Sequence, residues 1–102
     1  MKLVTIFWRD IPAQVLVKKG RSKAKRQLPQ RFQVAIDRAA MRAGKGGSDA
    51  YMNEWRRENL EVTGDDPEML AADRARALEA AYSESDLEVL IRNKGFAEPA
   101  ET

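Results

Sequence analysis

The sequence predicts an α+β fold: a small antiparallel sheet formed early in the chain, packed against about four helices that follow. Three observations carry this expectation. Lys2 to Trp8 is rich in β-branched and aromatic residues, and Ala13 to Lys18 alternates in polarity. From Phe32 onward, apolar residues recur at helical rather than strand spacing. Proline, glycine and acidic residues then punctuate the later segments where helices should start and stop. With 102 residues the chain is sized for one domain, expected over 1–97, with a frayed tail at 98–102.

The elements follow in order. In Lys2–Trp8 both alternating sets are apolar, Leu3, Thr5 and Phe7 against Val4, Ile6 and Trp8, as in a strand covered on both sides. Ala13–Lys18 places Ala13, Val15 and Val17 on one face and Gln14, Leu16 and Lys18 on the other. Between the two strands, Arg-Asp-Ile-Pro reads as a four-residue hairpin loop, because Asp favours turns and Pro12 donates no hydrogen bond. Gly20–Gln27 is basic and reads as irregular. Pro29 suits the first position of a helix carrying Phe32, Ala35, Ile36, Ala39, Ala40 and Ala43, ended by Gly44.

A second helix is expected near Ala50–Glu58, with Tyr51 and Trp55 one turn apart, and Leu60–Val62 reads as a short third strand. Asp65-Asp66-Pro67-Glu68 is a helix start by cap, proline and dipole; Ala71, Ala75, Leu78 and Tyr82 give that helix its buried stripe. Ser85-Asp86-Leu87-Glu88 reads as a capping box for a last helix with Leu87, Leu90 and Ile91, closed by Gly95. Two strands alone are marginal. Either Leu60–Val62 joins them, or a sheet edge pairs with a second copy as a homodimer.

The chain has no Cys and no His. That excludes disulfides, thiolate or imidazole metal sites, and Cys or His catalysis. No cofactor and no metal site is implied, and no residue is singled out as catalytic. Asp65, Asp66 and Glu68 miss the spacing of a calcium loop. The Ala43–Ser48 segment, AGKGGS, lacks the full phosphate-loop pattern and follows a helix. Neither a signal-peptide core nor a membrane-length apolar run is present, so the expected location is cytoplasmic, with no membrane partner.

Charge is the most informative feature. Residues 1–47 hold twelve Lys and Arg against two Asp and Glu, whereas residues 48–102 hold six against fourteen. Six of the nine residues from Lys18 to Arg26 are basic. Two readings compete: the basic half faces an anionic partner, or it packs beside the acidic helices and is neutralised there. The candidate binding residues are therefore Lys18, Lys19, Arg21, Lys23, Lys25 and Arg26. Trp8, Arg9, Asp10 and Gln14 join them, since they would gather an aromatic ring, a guanidinium and an amide at one sheet end.

The segments FWRDIPAQVLVKKG, RFQVAIDRAAMRAG and DAYMNEWRR resemble the virulence factor domain family. That family comprises small alphaproteobacterial proteins, and the same domain resembles the C-terminal module of conserved virulence factor C type proteins. The resemblance covers Val4 to Arg57 and adds weight to Trp8, Arg9, Asp10, Pro12 and Gln14. It implies no activity, cofactor or catalytic residue. The function expected is a non-catalytic interaction or accessory domain that binds a protein partner or anionic ligand through the basic hairpin and loop. The alternatives are nucleic-acid binding, or an accessory role in folate- or corrinoid-dependent methyl transfer.

Overall fold

Three strands, two helices, a fourth strand and two further helices follow one another in the order β1 (Lys2–Trp8), β2 (Ile11–Lys19), β3 (Ser22–Gln27), α1 (Gln30–Arg42), α2 (Ser48–Met52), β4 (Trp55–Glu61), α3 (Pro67–Ala81) and α4 (Glu84–Arg92). This computed structural model describes residues 1–97; the tail expected from Glu98 lies outside them. The sheet is antiparallel throughout and runs β3-β2-β1-β4. The α+β class is as expected, but the sheet has four strands and several local features differ from the sequence reading.

The hairpin turn is tighter than predicted. Trp8 faces Ile11 across Arg9 and Asp10 alone, and the register slips between Ile6 and Phe7, which face Gln14 and Pro12. Ala13 is thus the extra residue of a bulge, and a bulge is where a central strand tolerates a proline. The segment expected to be irregular is strand β3. Gly20, at φ 57, and Arg21 turn the chain so that Lys19 pairs with Ser22. Only Ala24 is buried in this strand, opposite Val17. Its pairing with β2, rather than its own hydrophobicity, makes it a strand.

The helix expected to reach Glu58 stops at Met52, and Trp55 opens β4. Pairing runs from Trp8 opposite Trp55 to Lys2 opposite Glu61. The predicted Leu60–Val62 strand was therefore the tail of a longer one. Pro29 is the N-cap of α1 rather than its first residue, and Gly44 at φ 72 follows the helix end as expected. The cap of α4 is Ser83, not Ser85. The Ser83 hydroxyl accepts from the Asp86 N–H at 3.1 Å, and the Asp86 carboxylate accepts from the Ser83 N–H at 2.9 Å. The predicted start of α3 holds: Asp66 accepts from the N–H groups of Glu68 and Met69.

Strand alternation divides the sheet into two faces. Val15, Val17 and Ala24 lie on one, buried with Phe32, Ile36 and Ala39 of α1, Ala71, Ala75 and Leu78 of α3, and Leu87, Leu90 and Ile91 of α4. Burying these apolar side chains contributes roughly 1.5–3 kcal/mol for each large one. Arg31 ties two helices together: its guanidinium donates to the Glu79 and Tyr82 carbonyls, so a cation meets the C-terminal end of α3. Among the described residues, the opposite face carries no helix except at the Trp8 end, where α2 meets it. The covering expected on both sides of β1 is therefore incomplete.

The capping box makes a pH prediction. Hydrogen bonds from the Ser83 backbone, then from its hydroxyl, hold the Asp86 carboxyl below its ordinary 3.8. Its contribution is thus present above that value and lost as pH falls through the lower folded one. Urea unfolding should find Asp86→Asn less stable than wild type at pH 7, with the difference vanishing in strong acid. Ser83→Ala should lose about 1 kcal/mol at neutral pH. A difference between wild type and Asp86→Asn that persists in strong acid would count against this assignment.

Candidate functional site

The hairpin turn is an internal anchor. Arg9 is only 9% exposed and sits at φ 53, a left-handed backbone rare for a residue other than glycine. Its N–H donates to the Glu54 carbonyl at 3.1 Å. Its guanidinium donates to the Lys94 carbonyl at 2.7 Å and to Glu54 Oε1 at 3.1 Å. It stacks between the rings of Trp8 and Phe96, at 5.2 and 4.4 Å. One short turn is thereby joined to the start of β4 and to the segment after α4. Gly95 makes the close approach possible, since a Cβ there would lie 2.9 Å from the Trp8 ring.

Trp8 and Asp10 complete this anchor. Trp8 is fully buried, stacks on Tyr51 at 5.9 Å, and donates its indole N–H to the Tyr51 carbonyl. Asp10 accepts from Arg56 at 3.0 Å and from the Ala97 N–H at 2.7 Å. Arg56 also donates to the Arg9 carbonyl and to Glu58, and lies over the Phe7 ring. Burial opposes the Arg56 charge, but hydrogen bonds to Glu58 and Asp10 outweigh it and raise its pKa. Nearby Tyr82 is raised above its ordinary 10.0 by burial first, then by the Asp10 charge.

The cations of the hairpin divide between the two faces. Lys19 and Arg26 point toward the helices and meet acids at the start of α3: Lys19 lies 3.9 Å from Asp65, and Arg26 3.8 Å from Glu68. Lys18, Lys23 and Lys25 have the opposite parity and stand on the open face. Among the described residues, no carboxylate lies within ion-pair distance of them or of Arg21. The register places Lys23 opposite Lys18, Lys18 opposite Lys2, and Lys2 opposite Glu61, in one row across the sheet. The next row is Lys25, Leu16, Val4 and Asn59, and the one after it Gln27, Gln14, Ile6 and Arg57.

This face is an aliphatic centre with a cationic border. Val4 is buried there by its neighbours, while Leu16 and Ile6 are half-exposed. Toward the α2 end, Ile6, Gln14, Met52, Trp55, Arg56 and Arg57 line a shallow hollow of about 280 Å³. Directly opposed like charges destabilise a strand pair, and Lys18 has a lysine opposite it on both sides.

The sequence-level candidates thus fall into three places. Trp8, Arg9 and Asp10 hold the fold at one sheet end; Lys19 and Arg26 pair with α3; and Gln14, Lys18, Lys23 and Lys25 share the open face. Arg21 lies in the β2–β3 turn. Sequence reasoning missed Lys2 on that face and Glu54 and Phe96 around Arg9, and it set Arg56 and Arg57 beside Tyr51 and Trp55 on the expected second helix rather than on β4. For Lys2 and Arg57 a signal existed, the period-two alternation, but it needed the β4 register to be read. The partners of Arg9 come from distant segments and leave no local signal.

The fold is that of a small α+β domain in which, among the described residues, helices cover one sheet face and Lys2, Lys18, Lys23 and Lys25 stand on the other. The Virulence factor family model matches residues 6–91, and the chain belongs to that family. The match runs beyond the residues that carried the resemblance, through the acidic helices to α4. No curated protein and no solved structure matches the chain.

Arg9 should behave as a structural residue. Arg9→Ala is expected to lower the unfolding free energy by about 2–4 kcal/mol, since the Lys94 carbonyl loses its donor and Glu54 is left with Lys45, at 3.9 Å. Gly95→Ala should cost about 1–3 kcal/mol through its φ of 95 and its contact with Trp8. Urea denaturation measures both, and wild-type stability in Arg9→Ala would refute the anchor.

Proposed function

We propose that this member of the Virulence factor family is a non-catalytic docking domain whose open sheet face binds an acidic protein partner. The observation that carries the reading is the cross-sheet row of Lys23, Lys18 and Lys2 beside Lys25. Lysines in opposed positions on adjacent strands repel, at Cβ separations of about 5 Å. None of the four has a carboxylate within ion-pair distance among the described residues, although Lys2 stands opposite Glu61 in the register. A surface with this unfavourable self-energy gains more than a balanced one when an anionic surface covers it.

Its aliphatic centre favours a protein over a nucleic acid. Single-stranded nucleic acid is held by aromatic side chains exposed on strands, where bases stack. Here the middle of the face is Val4, Ile6 and Leu16, while Trp55 at the end of the sheet is half-buried and Trp8 beside it is fully buried. A protein segment presenting carboxylates around apolar side chains matches both parts of the surface.

Replacing Lys18, Lys23 and Lys25 together by Gln should weaken capture of an acidic partner about tenfold or more. Folding stability should stay unchanged or rise by up to about 1 kcal/mol, because repulsion is relieved. Lys19→Gln with Arg26→Gln should leave binding nearly unaltered. Titration at low and high salt, against acidic peptides and against single-stranded RNA and DNA, provides the measurement. Equal affinity of wild type and the triple variant for acidic peptides would sink the proposal, as would preferential binding of nucleic acid.

A further inference from the structure

The docking reading says which face is used; the β3 edge says how the partner engages it. Among the described residues, β3 is an outer strand, paired with β2 alone. Its backbone groups alternate between facing β2 and facing outward. Lys19 and Ser22 close the two-residue turn, and the Leu28 N–H donates to the Ala13 carbonyl at 3.1 Å. Both observations put Ser22, Ala24 and Arg26 in the register that bonds β2. Lys23, Lys25 and Gln27 therefore direct their N–H and C=O groups to the free side. Their side chains are the ones on the open face.

We infer that the partner adds to the sheet as an extra strand beside β3, an extended acidic segment with carboxylates at alternate positions. The occupant follows from charge complementarity. A strand paired there exchanges backbone hydrogen bonds at Lys23, Lys25 and Gln27. Its side chains on the open face then stand beside Lys23 and Lys25, where Glu or Asp makes a favourable cross-strand pair. A second copy is a poorer occupant. Two β3 strands would oppose lysine to lysine or arginine, and the outward row of β4 offers Arg57 as well as Glu61. The same lysines that keep copies apart admit an acidic strand.

This inference rests on the docking reading, and the test separates the two. The probe is a synthetic peptide alternating glutamate with valine, with a lysine-for-glutamate peptide as control. Lys25→Gln removes one charge, while Lys25→Pro removes the charge and the outward N–H, a position where an edge strand accepts proline. Lys25→Pro should bind about three- to tenfold more weakly than Lys25→Gln. In the wild-type protein, bound peptide should slow hydrogen exchange at Lys23, Lys25 and Gln27, a readout that survives if Lys25→Pro fails to fold. Equal binding by the two variants with unchanged exchange would overturn strand addition and leave the docking face standing. Wild-type affinity after neutralising Lys18, Lys23 and Lys25 would overturn both. Self-association of the free domain that competes with the peptide would assign the edge to a second copy instead.

Discussion

A single buried guanidinium fixes how this chain closes on itself. Arg9 leaves the turn between β1 and β2 and reaches segments far along the chain: Glu54 before β4, and the Lys94 carbonyl after α4. The left-handed backbone at Arg9 costs roughly 1–2 kcal/mol by itself, and a charge this buried needs good partners. Both are held because two rings sandwich the cation, because Glu54 supplies the opposing charge, and because Gly95 lets the chain come close. With that end pinned, β4 is held alongside β1 and the four-stranded sheet is complete. The lysine row is meaningful only because this sheet exists.

The same strand geometry explains the distribution of charge. A net imbalance between the halves of the chain says nothing about where each cation points. Period-two alternation sends Lys19 and Arg26 to the acids that open α3, and sends Lys18, Lys23 and Lys25 away from them. Neutralisation by the acidic helices applies to the side of the hairpin that faces α3. On the other side, the described residues provide no such partner.

How far the sequence revealed this depends on the range of the interactions involved. The α3 start was legible because Asp66 and Pro67 act within one turn, and so was the buried stripe Ala71, Ala75 and Leu78. The first two strands were legible from alternation and β-branched content. β3 was not: Ser-Lys-Ala-Lys-Arg-Gln has one buried residue, and its conformation comes from pairing with β2. The Tyr51–Trp55 spacing imitated a helix although the chain turns between them and the two rings meet edge to face at 5.8 Å. For the site, the cationic segment was visible but its two sides were not. Arg9 and Trp8 stood out by chemistry, and their burial depends on distant residues that no local pattern reveals.

Separation along the sheet lets stability and surface charge vary independently. Lys2 and Trp8 lie at opposite ends of β1, six residues and therefore roughly 20 Å apart. The Arg9 anchor occupies the Trp8 end and the lysine row the Lys2 end. Sites so far apart and without shared partners contribute almost additively. Changes in the lysine row can therefore retune the exposed face without loosening the anchor. The anchor in turn acts on one end of β4 alone, since the strand is paired with β1 from Trp55 to Glu61 and is closed at its far end by hydrogen bonds between Met1 and Val62. The charge of this face is thus free to change without cost to the anchor, because the two occupy opposite ends of the same strands.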